Sequence, residues 1–241
     1  MRYLVNISYD GNYFYGFQKQ KNKMGVQNKI EEVFSKILNE NISIVAASRT
    51  DRYVHAYNQY FHFDTLKDLN IQDFKYRVNK MINKEIYIKN IIKVSDDFHA
   101  RYNVKSKTYL YKINIGTYNP IEKNYILQYN KEIDIVLLKK ACKKIKGKHD
   151  FKSFTSDKDK DNYVRDIKNI EVVKEKNYVY IKVEASGFLR YMVRNIVGLL
   201  IDINDEKIRI SDINDIFIAK DRSKINKPAP ANALYLEKII Y

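Results

Sequence analysis

Apolar and polar positions alternate from Tyr3 to Tyr9, with Tyr3, Val5, Ile7 and Tyr9 on one face and Leu4, Asn6 and Ser8 on the other. A period of two predicts a strand, and Asp10-Gly11-Asn12 closes it as a turn. The period then changes. Val26, Ile30, Val33, Phe34, Ile37 and Leu38 recur at helical spacing with charges between them, which predicts an amphipathic helix. Ile42 to Ala47 is apolar and rich in β-branched residues, so it reads as a buried strand. That strand delivers the polar group Ser48-Arg49-Thr50-Asp51 at its end.

Downstream, Gln59 to Thr65 predicts a strand, Ile71, Phe74, Val78 and Ile82 mark a helix, and Ile86 to Val94 returns as a strand. The second half opens on Lys107 to Ile115, where Tyr109, Tyr111, Ile113 and Ile115 share a strand face. A helix follows, capped by Asp134 and stopped near Gly147, with Cys142 on its apolar face beside Leu138 and Ile145. Arg165 to Val173 and Tyr178 to Ala185 flank Lys176-Asn177 as a hairpin. Phe188 to Ile203 is apolar enough to predict a core helix, Ser211 is placed to cap a short helix through Ala219, and Pro228-Ala229-Pro230 leads into a closing strand from Leu234 to Ile240. This order predicts an α+β fold of two sub-domains. It is not the strict βαβ alternation of a nucleotide-binding sheet, and no Gly-x-Gly-x-x-Gly or phosphate-loop pattern occurs, so a nucleotide cofactor is not expected.

Charge changes the picture. Lys and Arg number 44 against 29 Asp and Glu, a net charge of +15, and the basic residues are spread along the chain instead of gathered in a tail. A folded surface that neutralises phosphates is one reading, which makes nucleic acid the leading partner; an AT-rich coding sequence, which also favours Lys, Asn, Ile and Tyr, is the other. The single cysteine excludes an internal disulfide framework and a cysteine zinc site, and the four histidines have no metal-ligand spacing. No metal is expected. No leader-like segment or apolar run of membrane-spanning length is present, so a soluble cytoplasmic protein is expected. On its own, Asp51 is one carboxylate at a strand end, where Asp most often bonds its own backbone, and Arg49 two residues earlier adds little. Serine hydrolase chemistry lacks its glycine-flanked elbow.

The order of short motifs says more. Tyr9-Asp10-Gly11, Tyr15-Gly16-Phe17-Gln18-Lys19-Gln20, Val26-Gln27 and Ser48-Arg49-Thr50-Asp51-Arg52-Tyr53-Val54-His55-Ala56 lie in the first half. Asp97-Phe98-His99-Ala100-Arg101, Lys107-Thr108-Tyr109-Leu110-Tyr111, His149-Asp150-Phe151, Met192-Val193-Arg194-Asn195-Ile196-Val197-Gly198, Ala229-Pro230-Ala231 and Leu234-Tyr235-Leu236 follow. Together they resemble the tRNA pseudouridine synthase A family over nearly the whole chain.

The resemblance implies a pseudouridine synthase fold: an N-terminal catalytic sub-domain over residues 1–104 carrying Asp51, a C-terminal sub-domain over residues 105–241 carrying Tyr109 and Arg194, and antiparallel-rich sheets backed by helices around a central cleft. It implies isomerisation of uridine to pseudouridine in the anticodon stem-loop of tRNA, with no cofactor and with the target base flipped out of its stack. Asp51 takes the part of nucleophile, against either the base or the ribose. Arg194 is its charge partner, Tyr109 stacks on the uracil, Arg49 holds the flipped nucleotide out, and Gln59 contacts substrate near the pocket. Phe98, His99, Ala100, Arg101 and Tyr102 would contact RNA, as would Lys158 and Lys160. Members resemble homodimers whose tRNA lies across both subunits. The chain departs from the family's usual glycine at position 48 and Ala-Gly at 52 and 53, having Ser48, Arg52 and Tyr53. Glycine marks positive φ or close approach, so Tyr53 implies a reshaped loop or a strained residue. A ribosomal or other RNA target, and a non-catalytic RNA-binding protein on the same scaffold, are the competing expectations.

Overall fold

Alternation at the amino terminus becomes strand β1 (Arg2–Tyr9), and the face predicted to be apolar is the buried one, with Tyr3, Val5 and Ile7 fully covered. The computed structural model describes residues 1–241. After β1 come α1 (Val26–Leu38), β2 (Ile44–Ala46), β3 (His55–Asp64), α2 (Ile71–Met81) and β4 (Ile86–Val94). The later elements are β5 (Ser106–Asn114), β6 (Leu127–Gln128), α3 (Ile135–Ile145), β7 (Gly147–Asp150), β8 (Val164–Glu175), β9 (Tyr178–Ala185), α4 (Met192–Asn204), α5 (Ile213–Ala219) and β10 (Leu234–Ile240), an α+β arrangement. No helix is long and apolar enough to cross a membrane.

The chain divides into two compact units, Met1–Lys105 with Tyr235–Tyr241, and Ser106–Leu234. Sequence order groups residues 235–241 with the second half, but the closing strand belongs to the first unit. There β10 runs parallel to the start of β3, pairing Tyr235 with His55 and Leu236 with Ala56.

In the first unit, β1 lies between β3 and β4, antiparallel to both. The short β2 joins the far end of β3, pairing Ile44 with Phe63. The apolar stripe of α1 is buried, and Phe34 meets Phe63 and Phe74 edge-on at 5.0 and 5.1 Å. Rings in this geometry contribute about 0.5–1.5 kcal/mol per pair beyond their buried area. Two expectations shift. The buried strand expected over 42–47 is regular only over Ile44–Ala46, and Val45 points outward. Conversely, β3 starts at His55, which puts His55-Ala56 in the sheet where they pair with β10.

The second unit is an antiparallel run in which β9 lies between β5 and β8, and β8 pairs with β7. The β8–β9 hairpin turns at Lys176-Asn177 as expected, with Lys176 at φ +53°. Asp134 caps α3 by accepting from the Leu137 N–H at 2.9 Å. Cys142 is buried on that helix, and desolvation pushes its thiol pKa up to about 12. It is a core thiol.

Helix α4 is the core helix the composition predicts, though it begins at Met192 and not Phe188. The delay has a cause: Tyr191 sits in the left-handed region at φ +62°, where a helix cannot propagate. Ser211 does not cap the next helix either. Asp212 occupies that position without a side-chain cap, and the Ser211 hydroxyl donates to the Asp212 carboxylate at 2.8 Å.

Candidate active site

Asp51 is half-buried in a turn that follows β2 and precedes β3. The turn closes where the Val54 N–H donates to the Asp51 carbonyl at 3.2 Å. Tyr53, its third residue, is at φ +70°, the conformation that glycine takes without cost at this point of a type II turn. Of the two outcomes implied by the missing glycine, the strained residue is the one observed.

The amino-terminal motifs brace this turn. The Tyr9 hydroxyl and Thr50 Oγ1 are 2.6 Å apart in the interior. Phe17 N–H donates to the Thr50 carbonyl at 3.1 Å. Gly16, at φ +94°, lets that segment approach so closely that a Cβ would lie 2.9 Å from the Thr50 carbonyl oxygen. Gly11 is tighter, since its Cβ would fall 2.2 Å from the Val54 carbonyl oxygen, and its N–H donates to His55 Nδ1 at 3.1 Å. His55 in turn stacks on Tyr235 at 4.7 Å. Backbone contacts this close leave no room for a side chain, which is the physical content of the Asp-Gly and Tyr-Gly-Phe motifs.

Gln59 acts from beneath. It is fully buried, its Nε2 donates to the Ser48 carbonyl at 2.7 Å, and its Oε1 accepts from Tyr60 N–H at 3.1 Å. The expectation that Gln59 touches substrate is therefore corrected to a bracing role, because a residue with no exposed surface has none to offer RNA. Arg49 is exposed on the same segment.

Residues 98–102 are only partly available. The Arg2 guanidinium pairs with Asp64 at 2.8 Å and donates to the Phe98 carbonyl at 2.8 Å. Ala100 is fully buried; its N–H donates to His62 Nδ1 at 3.0 Å and its carbonyl accepts from the Tyr241 hydroxyl at 2.9 Å. Ala100 thus anchors the segment and is not an RNA contact. Arg101 and Tyr102 reach solvent, with Tyr102 stacked on His99 at 4.2 Å and Phe98 half-buried against Tyr241. His62, largely buried beside Arg2 and His99, has its pKa lowered to about 4, chiefly by desolvation.

In the second unit, Tyr109 lies on β5 with 6% of its surface exposed and meets Phe188 edge-on at 5.1 Å. Arg194 is half-buried in the first turn of α4. Its Nε donates to the Ala229 carbonyl at 2.7 Å, while Ala229 N–H donates back to the Arg194 carbonyl at 2.9 Å. Gly198 permits this contact, because a Cβ there would meet the Lys227 carbonyl oxygen at 2.6 Å. The Met-Val-Arg-Asn-Ile-Val-Gly and Ala-Pro-Ala motifs are therefore two sides of one contact, and Tyr111 ties down the latter by donating to the Pro230 carbonyl at 2.9 Å. Lys158 and Lys160 are exposed in a loop tied by Lys160–Asp157 at 2.9 Å and by the Tyr163 hydroxyl donating to the Lys158 carbonyl at 2.6 Å. The stack of Arg52 with Tyr15 and Tyr53 was not expected from the sequence; the adjacent Arg52 and Tyr53 after Asp51 were the one available signal.

The chain is similar to known proteins over nearly its whole length. Residues 6–103 and 141–241 match the family described as tRNA pseudouridine synthase. A protein named tRNA pseudouridine synthase A 2 from Bacillus anthracis is 40% identical over 240 residues, covering 98% of each chain. The tRNA pseudouridine synthase A of Mycoplasma genitalium is 37% identical over 241 residues, covering all of this chain and 98% of its own. That of Staphylococcus aureus is 38% identical, covering 99% of this chain and 90% of its own. With both halves matched and full-length relatives well above 30% identity, the chain belongs to the tRNA pseudouridine synthase family.

Proposed function

We propose that this protein isomerises uridine to pseudouridine in the anticodon stem-loop of tRNA, with Asp51 as nucleophile. The observation that carries this reading is the brace around Asp51: Tyr9, Gly16 and Gln59 fix the segment from Ser48 to Thr50 from three directions. A carboxylate held this way can attack an electron-poor carbon or stabilise positive charge at the ribose without reorganising. The atoms balance without a cofactor. The bond from uracil N1 to C1′ breaks, a bond from C5 to C1′ forms, and the proton lost at C5 is matched by one gained at N1.

The target base must leave its stack, at a cost of about a few kcal/mol. In this proposal Tyr109 offers its ring to the uracil, Arg49 holds the everted nucleotide out, and Arg194 keeps Asp51 ionised. Phe98, His99, Arg101, Tyr102, Lys158 and Lys160 serve the flanking RNA, and the enzyme works in the cytoplasm as a homodimer. The net charge of +15 supports a polyanionic partner, so binding should weaken steeply as salt rises.

The test is direct. Purified protein is incubated with unmodified tRNA, without added cofactor or metal, and pseudouridine is mapped by position. Pseudouridine confined to the anticodon arm is expected. Formation only in other RNA, or none in tRNA, rejects the assignment.

A further inference from the structure

The turn that holds Asp51 carries a cluster of partly exposed aromatic and basic side chains. The Arg52 guanidinium carbon lies 4.2 Å from the centroid of the Tyr15 ring and 4.4 Å from that of Tyr53. Lys23 places its ammonium 5.4 Å from the Tyr15 centroid. Both rings remain substantially open to solvent, Tyr15 at 39% and Tyr53 at 38%. The cluster is nevertheless fixed in place. Tyr15 N–H donates to the Met24 carbonyl at 2.9 Å, Gln20 Nε2 donates to the Tyr15 carbonyl at 2.7 Å, and Phe17 N–H ties the segment to Thr50.

Tyr53 holds its ring there in a left-handed backbone conformation, a cost that glycine would not incur. An exposed cation–π contact returns no more than that cost. Burial explains the ring only in part, since 38% of the residue's surface stays open to solvent. Strain retained beside a reacting group points to use of the strained residue. The use the chemistry suggests is stacking: phenol rings and a guanidinium plane are the side chains on which unpaired bases stack, and Lys23 and Arg52 add positive charge for the adjoining phosphates.

We infer that Tyr15, Arg52 and Tyr53 form a platform that receives an unpaired nucleobase next to the uridine being isomerised, and so help select which uridines react. The inference rests on the reading of Asp51 given above. Arg52 and Tyr53 follow Asp51 by one and two residues, so a nucleotide presented to that carboxylate brings its neighbour within their reach. They are positioning residues, with no part in bond breaking.

The test uses the full protein and full-length tRNA assembled with 2-aminopurine at the nucleotide on either side of the target uridine. Stacking quenches this base. Wild type is expected to quench it on one side, Tyr53→Phe to preserve the quench, and Tyr53→Gly, which removes the ring and relaxes the backbone, to abolish it. With Tyr53→Gly, kcat/KM should fall about tenfold, as loss of one stacked base predicts, while kcat at saturating tRNA stays within about twofold. Arg52→Gln should narrow the preference between a purine and a pyrimidine at that neighbour. Undiminished quenching in Tyr53→Gly, or a fall in kcat with KM unchanged, overturns the platform while the synthase reading stands. A wild-type protein that forms no pseudouridine in tRNA rejects the synthase reading, and the platform with it.

Discussion

Two tyrosines, one in each unit, hold left-handed backbone beside a candidate site residue, and they do so for different reasons. Tyr53, at φ +70°, is in a turn two residues after Asp51; Tyr191, at φ +62°, precedes α4 and stands three residues before Arg194. Each has arginine at its ring, Arg52 at 4.4 Å from Tyr53, and Arg190 and Arg194 at 4.9 and 5.2 Å from Tyr191. A bulky residue in this region costs about 1–2 kcal/mol. Tyr191 recovers that cost structurally. Its carbonyl accepts from Asn195 N–H at 2.9 Å to start the helix, its hydroxyl accepts from Arg190 at 3.1 Å, and its ring is half-buried. The Tyr53 ring recovers less, because it remains exposed and touches only Arg52 among the ring contacts of its turn. Similar backbone strain serves architecture at Tyr191 and, in the platform we infer, substrate handling at Tyr53.

The comparison can be broken most forcefully at the site residues. Asp51→Asn keeps the shape of the turn but removes the charge, so pseudouridine formation should fall by at least about a thousandfold with tRNA affinity within about threefold. Arg194→Lys keeps the charge and loses the guanidinium bond to Ala229, so a smaller fall of roughly ten- to a hundredfold is expected in single-turnover assays. Equal losses in the two variants would mean that Arg194 contributes more than charge and position. A loss below tenfold in Asp51→Asn would remove Asp51 from the chemistry.

Stability separates the supports of the two turns. Gly16→Ala puts a Cβ 2.9 Å from the Thr50 carbonyl at φ +94°, and should destabilise the protein by about 3 kcal/mol in urea titrations. Tyr53→Gly and Tyr191→Gly should move stability in opposite directions. The first relieves strain at the cost of one exposed contact, a gain of about 0.5–1 kcal/mol. The second loses a ring that fixes the start of α4, a loss of about 1 kcal/mol. Destabilisation of similar size in both would show that the Tyr53 ring is structural after all.

The last effect is read on the pH axis, in the first unit. His62 is held neutral in the folded state because burial disfavours its charge and its Nδ1 accepts the Ala100 N–H. The unfolded chain takes up that proton as pH drops through the ordinary histidine value of 6.5, while the folded chain resists until about 4. Stability contributed by the neutral ring is complete above 6.5 and drains away as pH falls towards 4. A histidine ring titration followed by NMR should place the His62 midpoint well below 6. A midpoint at the ordinary value would show that the anchor on residues 98–102 is looser than its hydrogen bonds imply.

Much of this was legible in the chain itself. Period-two and helical patterns placed most strands and helices, because the faces that must be buried in β1, α1 and α4 are written as apolar repeats. The Asp134 cap and the Lys176-Asn177 turn were legible for the same local reason: each is satisfied within a few residues. Failures occurred where distant segments decide. Ser211 looked like a cap but is displaced by a short 3-10 turn over Ile210–Asp212, and α4 starts late because Tyr191 leaves helical backbone. Gln59 and Ala100 carry no mark in the sequence that they are buried; that follows from Ser48 and His62, which lie 11 and 38 residues away from them.

The sequence by itself determined the class of the fold, the excess of positive charge and, through the order of its motifs, the family and the choice of Asp51 as candidate nucleophile. Only the tertiary structure decided that Gly11 and Gly16 are spaces for backbone, that Gln59 supports the site without facing RNA, and that the last strand returns to the first unit. The division has one physical cause. Periodicity and capping are satisfied among neighbours in the chain, whereas close approach, burial of polar groups and stacking depend on which remote segments the folded chain brings into contact.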